Sequence, residues 1–289
     1  MYQIIINPIA GKGRSLKALN KVTKLLDKKG IDYRVYITER PGHASVIAAD
    51  LCKTPNSILV LGGEGTMCEV LNGITDFNAV TIGLIPCGTG NDFCKFIGIP
   101  SKVEHALDIV LAGKTKFVDF IEYNNGGRCL NCLGTGMDVD VLVQYLKPGF
   151  FKGKLRYYIC LLDELFHLKF HKVRIKTDNL DCEKEVFIIA LANGKYFGGG
   201  MPISPESDVC DGKLNLIIIN KLPKRKIPLS LLKFLRGKHL SLPCTESYLV
   251  DKASLEILDE GFMEADGEIK EAKTLDCRVV SNTLKLFSK

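Results

Sequence analysis

The residues best placed to do chemistry in this chain are acids set inside glycine turns. LVLGGEGTMCEVLNGI, Leu59 to Ile74, reads as an apolar strand, then Gly62, Gly63, Glu64, Gly65 and Thr66, then a helix carrying Glu69. Backbone amides at such a turn suit an anion, so a carboxylate belongs there only if a cation mediates between like charges. PCGTGNDF repeats the scheme, with Gly88, Thr89, Gly90 and Asn91 leading to Asp92 at a helix start. Taken singly, Asp92 reads as a helix cap. Two glycine turns at neighbouring strand ends, each with an acid and a threonine, point instead to a nucleotide phosphate site with metal-binding carboxylates. Phosphoryl transfer needs charge neutralisation, in-line positioning and a base, so glycines and carboxylates suffice.

Two further turns lie nearby in the order of elements. NPIAGKGRS places Gly11, Lys12 and Gly13 ahead of Ser15, where amides could approach a phosphate at a helix terminus. It lacks the G-x-x-x-x-G-K-[ST] spacing, and plain turn formation explains it about equally well. Thr38, at the tip of TERPGHA, reads as a turn residue when taken alone.

The elements that must position these turns alternate. YQIIIN, YRVYIT, SILVL and AVTIGLIP are short apolar strands separated by helical periods, which predicts a parallel sheet covered on both faces and ending near Glu122. In such sheets ligands bind beyond the carboxyl ends of the strands, where the glycine turns fall. After Tyr123 the runs become strand upon strand, as in EKEVFIIALAN and GKLNLIIIN. Only two helical insertions interrupt them, near 155–168 and 228–237, so an antiparallel sandwich or barrel is expected. The fold class is α/β plus β: a nucleotide-binding lobe over 1–122 and a β-rich substrate lobe over 123–275. Periodicity does not say whether the last strand, about 276–289, closes the second lobe or returns to the first.

A chain of 289 residues is long enough for two cores and a cleft. Its 46% hydrophobic and 25% charged residues are ordinary soluble values, and no run of about 18 apolar residues spans a bilayer. Met1 enters a buried-type strand at once, so the expectation is a cytoplasmic protein. Eleven cysteines in apolar segments fit a reducing compartment. Cys129 and Cys132 in CLNC lack a second pair for zinc. The net charge of +6 permits an anionic partner without choosing one. Nucleic acid is not expected, because no aromatic and basic platform appears.

GGEGTMCEVLNG and PCGTGNDFCKFIGIP resemble the paired signatures of the diacylglycerol kinase catalytic family, G-G-D-G-T-x-x-E-x-x-N-G and P-x-G-T-x-N-D-F/L-A-R. INPIAGKG, GTGMDVDV, GKLRYYI, NGKYFGGGMPISPESDVCDGKLNL and EADGE match its other motifs in order, so the resemblance covers nearly the whole chain. It implies a two-lobed, Mg²⁺-dependent lipid kinase with a lobe like those of 6-phosphofructokinase and NAD kinase. ATP would lie between the lobes, against Asn7, Pro8, Gly11, Lys12, Thr38, Gly62, Gly63, Glu64, Gly65, Thr66, Glu69, Thr89, Gly90 and Asn91. The D-G-E motif would place Asp266 and Glu268 at the acceptor hydroxyl, with Glu268 favoured as proton acceptor beside Glu64 and Asp92. A structural Mg²⁺ would take Asp211, with carbonyls of Asp208 and Lys213. Read without the family, VCDGKLNL and EADGE are turns.

Three departures from the family pattern stand out: Glu64 for aspartate, Cys68 for asparagine, and the pair Cys94-Lys95 for Ala-Arg. Glutamate reaches farther by one C–C bond, which matters to Mg²⁺ and its near-ideal octahedron. An active kinase with adjusted metal geometry ranks first, ahead of a catalytically impaired lipid- or nucleotide-binding relative. A kinase of a soluble acceptor such as NAD is the other alternative. The acceptor expected is diacylglycerol or a similar lipid. KLPKRKIPLSLLKFLRGKH and FFKGKLRYY could dock transiently on an anionic membrane surface, a peripheral association, although a solvated helix face explains them equally. The resemblance also implies a homodimer through the second lobe.

Overall fold

The computed structural model describes residues 1–148 and 153–289. FFKGKLRYY, residues 150–158, begins inside the intervening gap, and most of its side chains lie outside what is described.

The near-continuously buried strands of the first lobe are the central ones of a parallel sheet, with one half-exposed strand at its edge. β1 (Tyr2–Ile6) buries Ile4, Ile5 and Ile6 completely. β2 (Tyr33–Ile37) lies on one side of it and β3 (Asn56–Gly62) on the other, followed by β4 (Val80–Pro86), all parallel. Right-handed crossovers set α1 (Arg14–Lys28) with α5 (Val103–Leu111) on one face and α2 (His43–Leu51) with α3 (Glu64–Gly73) on the other. The result is three layers. Because strand order reverses between β1 and β3, the turns after them open onto a crevice. Truncating Leu61, fully buried in β3, to alanine would cost about 2–5 kcal/mol.

A short α4 (Asp92–Phe96) follows β4, and β5 (Thr115–Tyr123) leads out of the lobe. The second lobe is antiparallel. It runs through β6 (Gly127–Cys129), β7 (Cys132–Gly136), α6 (Met137–Leu146), α7 (Gly153–His167), β8 (His171–Lys176) and β9 (Asp181–Ala192). The small hairpin of β10 (Tyr196–Phe197) and β11 (Met201–Pro202) precedes β12 (Leu214–Asn220) and α8 (Ile227–Leu235). β13 (Thr245–Val250), β14 (Lys252–Ile257), β15 (Met263–Ala265), β16 (Glu268–Lys270) and β17 (Thr274–Phe287) complete it as a β-sandwich. β8 shows why one face stays wet: His171, Val173 and Ile175 point inward while Lys172, Arg174 and Lys176 alternate outward.

The last strand serves both lobes. Leu275 and Cys277 pair with β14 and lie in the second core, whereas Leu284, Leu286 and Phe287 pair with β5 and enter the first. A register shift between Val280 and Leu284, with Asn282 at φ 50°, makes the bend. All eleven cysteines are free, and Cys129 and Cys132 are buried in strands. Among the described residues no helix is long and apolar enough to cross a membrane.

Candidate active site

Three glycine turns meet at the crevice because a side chain on them would collide. A Cβ on Gly11, at φ 59°, would lie 1.9 Å from the Cys87 carbonyl oxygen. One on Gly88 would lie 2.6 Å from the Gly63 Cα. Arg14 joins the first and third turns, its Nε donating to the Gly11 carbonyl at 3.1 Å and its Nη2 to the Gly88 carbonyl at 2.7 Å. α1 and α3 both begin without a side-chain cap, after Gly13 and Gly63. Their first amides, with Lys12, make a setting for an anion at two positive helix ends. Asn7 Oδ1 accepts from the Ile9 amide and shapes the first turn, with Pro8 inside it. Buried Thr38 is anchored by donation from its own amide to the Ile6 carbonyl.

The acids of these turns are tied to backbone. The Asp92 amide donates to Glu64 Oε1 at 2.6 Å, so the longer side chain reaches across and caps α4. Asp92 is 1% exposed and spans the lobes, accepting from the Gly199 amide at 2.7 Å and from Lys95 Nζ at 3.2 Å. Burial, then the Asp92 charge, pushes the Glu64 carboxyl up to about 7. One buried and one half-buried carboxylate with one half-exposed lysine beside them suit a hard cation. Thr66 fills the space over Gly62. Glu69 turns away and caps α2, accepting from the Ala44 amide at 3.1 Å. Cys68 is buried, its thiol pushed well up by desolvation and bonded to the Arg128 carbonyl.

A cavity of about 1000 Å³ starts at Lys12, Glu64, Thr89 and Gly90 and runs into the second lobe. Its middle is acidic, walled by Asp138, Glu264 and Asp266. Its far part is apolar and lies among α6, α7 and α8, with Val141, Leu161, Leu165, Phe187, Leu231 and Phe234 in the wall. Asp266 is held by three amides, those of Leu130 at 2.6 Å, Asn131 at 2.8 Å and Cys132 at 3.2 Å. Burial raises its pKa against those bonds. Glu264 accepts from the Gly267 amide and is pushed up to about 8, by burial first and then by the charge of Asp138. Burial pushes Asp138 up to about 6.

Glu268 stands elsewhere. Asp266 at φ 49° and Gly267 at φ 81° form a two-residue turn of the I′ kind, so β15 and β16 pair with Ala265 opposite Glu268. That pairing puts Glu268 on the face away from Glu264. It is exposed, outside the cavity wall, and bonded to Lys270 at 3.0 Å. Asp208 and Asp211 lie in one turn beside Asp119, each accepting from an amide two residues on. Both oxygens of Asp119 are taken by the Gly212 and Asn282 amides. Lys213 turns its ammonium to Asp251. No three His, Cys, Asp or Glu side chains among the described residues converge to hold an ion.

Sequence reasoning missed Arg14, Asp138, Gly199 and Glu264. An acid two residues after the second glycine of GTGMDVDV was the signal for Asp138, and three consecutive glycines, all at positive φ, were the signal for Gly199.

Residues 1–123 match the diacylglycerol kinase catalytic domain, and residues 131–288 match the YegS C-terminal NAD kinase beta sandwich-like domain. A diacylglycerol kinase of Staphylococcus haemolyticus is 30% identical over 271 residues, 92% of this chain and 81% of that protein. One from Mycobacterium tuberculosis is 28% identical over 246 residues, covering 82% and 79%. Two solved Bacillus anthracis chains cover all of this one. The first has TM-score 0.82 and 23% identity over 95% of its own length. The second, a diacylglycerol kinase, has TM-score 0.76 and 22% identity over 96%. These structures share its fold.

Proposed function

This chain belongs to the diacylglycerol kinase family, and we propose that it transfers the γ-phosphoryl group of ATP to the hydroxyl of diacylglycerol or a similar lipid. One observation carries the reading: a single cavity joins anion-suited glycine turns to a deep apolar compartment, with carboxylates at the junction. A soluble acceptor such as NAD has no use for that apolar volume.

The chain's own groups suggest a division of labour. Amides at the starts of α1 and α3, with Lys12, hold the donor's phosphates. Apolar side chains of α6, α7 and α8 hold the acyl chains and exclude water. Asp266, oriented by three amides, takes the proton from the acceptor hydroxyl in place of Glu268, which lies outside the cavity. Glu64 and Asp92 are the residues that would hold Mg²⁺, and an ion there supplies charge neutralisation at the phosphates. The capping bond of Glu64 supports a second reading, a relative that binds nucleotide and lipid with little turnover.

Radiolabelled ATP with micellar diacylglycerol, a ceramide-like lipid and NAD as acceptors tests this. Label in phosphatidic acid, lost in Asp266→Asn, is the expected result. Retained ATP binding with no labelled product on any acceptor overturns the kinase reading.

A further inference from the structure

α7 and α8 wall the cavity with one face and show apolar side chains on the other as well. On α7 the inward residues are Leu161 and Leu165, yet Ile159, Leu162 and Phe166 are 40%, 55% and 77% exposed at i, i+3, i+7 spacing. On α8 the inward residues are Leu231 and Phe234, yet Leu229, Leu232 and Leu235 are 61%, 44% and 54% exposed. A helix lying on a water-facing lobe carries polar residues on its outer side. Leu235 lines the cavity and is half exposed, so it marks the mouth.

The charge around the α8 row has one sign, while α7 carries Asp163 paired with His167. Lys224, Arg225, Lys226, Lys233, Arg236 and Lys238 flank α8, and residues 221–245 contain no acid. None of the six makes an ion pair among the described residues. Aliphatic side chains beside unpaired cations complement an anionic bilayer, with apolar tips below the headgroups and ammonium and guanidinium groups among them.

We propose that the outer faces of α7 and α8 dock on an anionic membrane surface, so that the cavity mouth meets the bilayer and the lipid enters without crossing water. This rests on the lipid-kinase reading for what passes through the mouth, but docking itself requires no chemistry.

Sedimentation with vesicles tests it in the absence of ATP. The wild-type chain should sediment with vesicles containing phosphatidylglycerol and stay in solution with phosphatidylcholine alone. Charge reversal at Lys224, Arg225 and Lys226 should weaken binding by on the order of 100-fold. The triple variant Leu162→Ser, Phe166→Ser, Leu229→Ser should lose binding, while turnover on short-chain diacylglycerol in detergent stays within about twofold. None of these six side chains lines the cavity. Failure of the wild type to bind anionic vesicles, or equal binding to neutral ones, overturns the proposal. So does a switch from dimer to monomer in the triple variant, which would assign this face to a second copy. Vesicle binding with no turnover on any lipid leaves docking standing and sinks the kinase reading instead.

Discussion

The two ends of the cavity are built by different means. At the donor end the wall is backbone: glycine Cα atoms approach each other, and acids are fixed by amide bonds. At the acceptor end the wall is side-chain volume from helices resting on a sheet. A backbone wall admits few substitutions, because a Cβ on Gly11 or Gly88 enters a filled space. A volume wall admits many, each changing what fits. The donor end is therefore the part that defines the reaction, and the acceptor end is the part free to choose the substrate.

The sharpest break of this contrast is at the junction. Asp266→Asn should lower kcat by about 10²–10⁴-fold with the KM for ATP unchanged, whereas Glu268→Gln should stay within about twofold. The opposite pattern would return the base to Glu268. At the donor end, Gly11→Ala meets both the Cys87 carbonyl and a left-handed φ. It should raise the KM for ATP more than tenfold; an unchanged KM would show that this turn does not touch the nucleotide. At the acceptor end, Val141→Phe fills space at a fully buried position in the wall. It should cut kcat/KM for long acyl chains about tenfold relative to short ones, at a stability cost of about 1–3 kcal/mol. Competition between two chain lengths reads the ratio directly.

Smaller effects sharpen the electrostatics. Glu264 ionises at about 4.5 when unfolded and at about 8 when folded. Its contribution to stability is complete below pH 4.5 and is lost as pH rises towards 8. Thermal melts across that range should show a flatter profile in Glu264→Gln than in wild type. Equal slopes would mean the carboxyl is not buried as described. Glu64→Asp comes last. The shorter acid cannot cap α4 in the same way, so stability should fall by about 0.5–2 kcal/mol with turnover changed less than tenfold. A large gain in turnover would favour the impaired-relative reading, with acid length as its cause.

What was legible in the sequence follows the same division. Glycine turns speak locally, so GGEGT, PCGTGNDF and the parallel strands that carry them could be read without coordinates. Asp-Gly at 266–267 announced a hairpin, but choosing between Asp266 and Glu268 required knowing which residue lies in the turn and which face the return strand presents. The reach of Glu64 to the Asp92 amide depends on one methylene and on a neighbouring strand end, which no periodicity encodes. The cavity was least legible, because its lining is spread between Lys12 and Gly267 and its apolar part looks like ordinary core residues.

β17 has a consequence for how the chain is made. Residues 284–287 fill the first lobe's core and residues 275–277 the second's, so neither lobe can finish folding until these residues have left the ribosome. The early lobe must wait, with its sheet edge open, for a strand synthesised more than 150 residues after its own last helix. A chain cut short at residue 280 would lack the strand end that seals the first lobe, and the loss would appear at the nucleotide's side of the molecule.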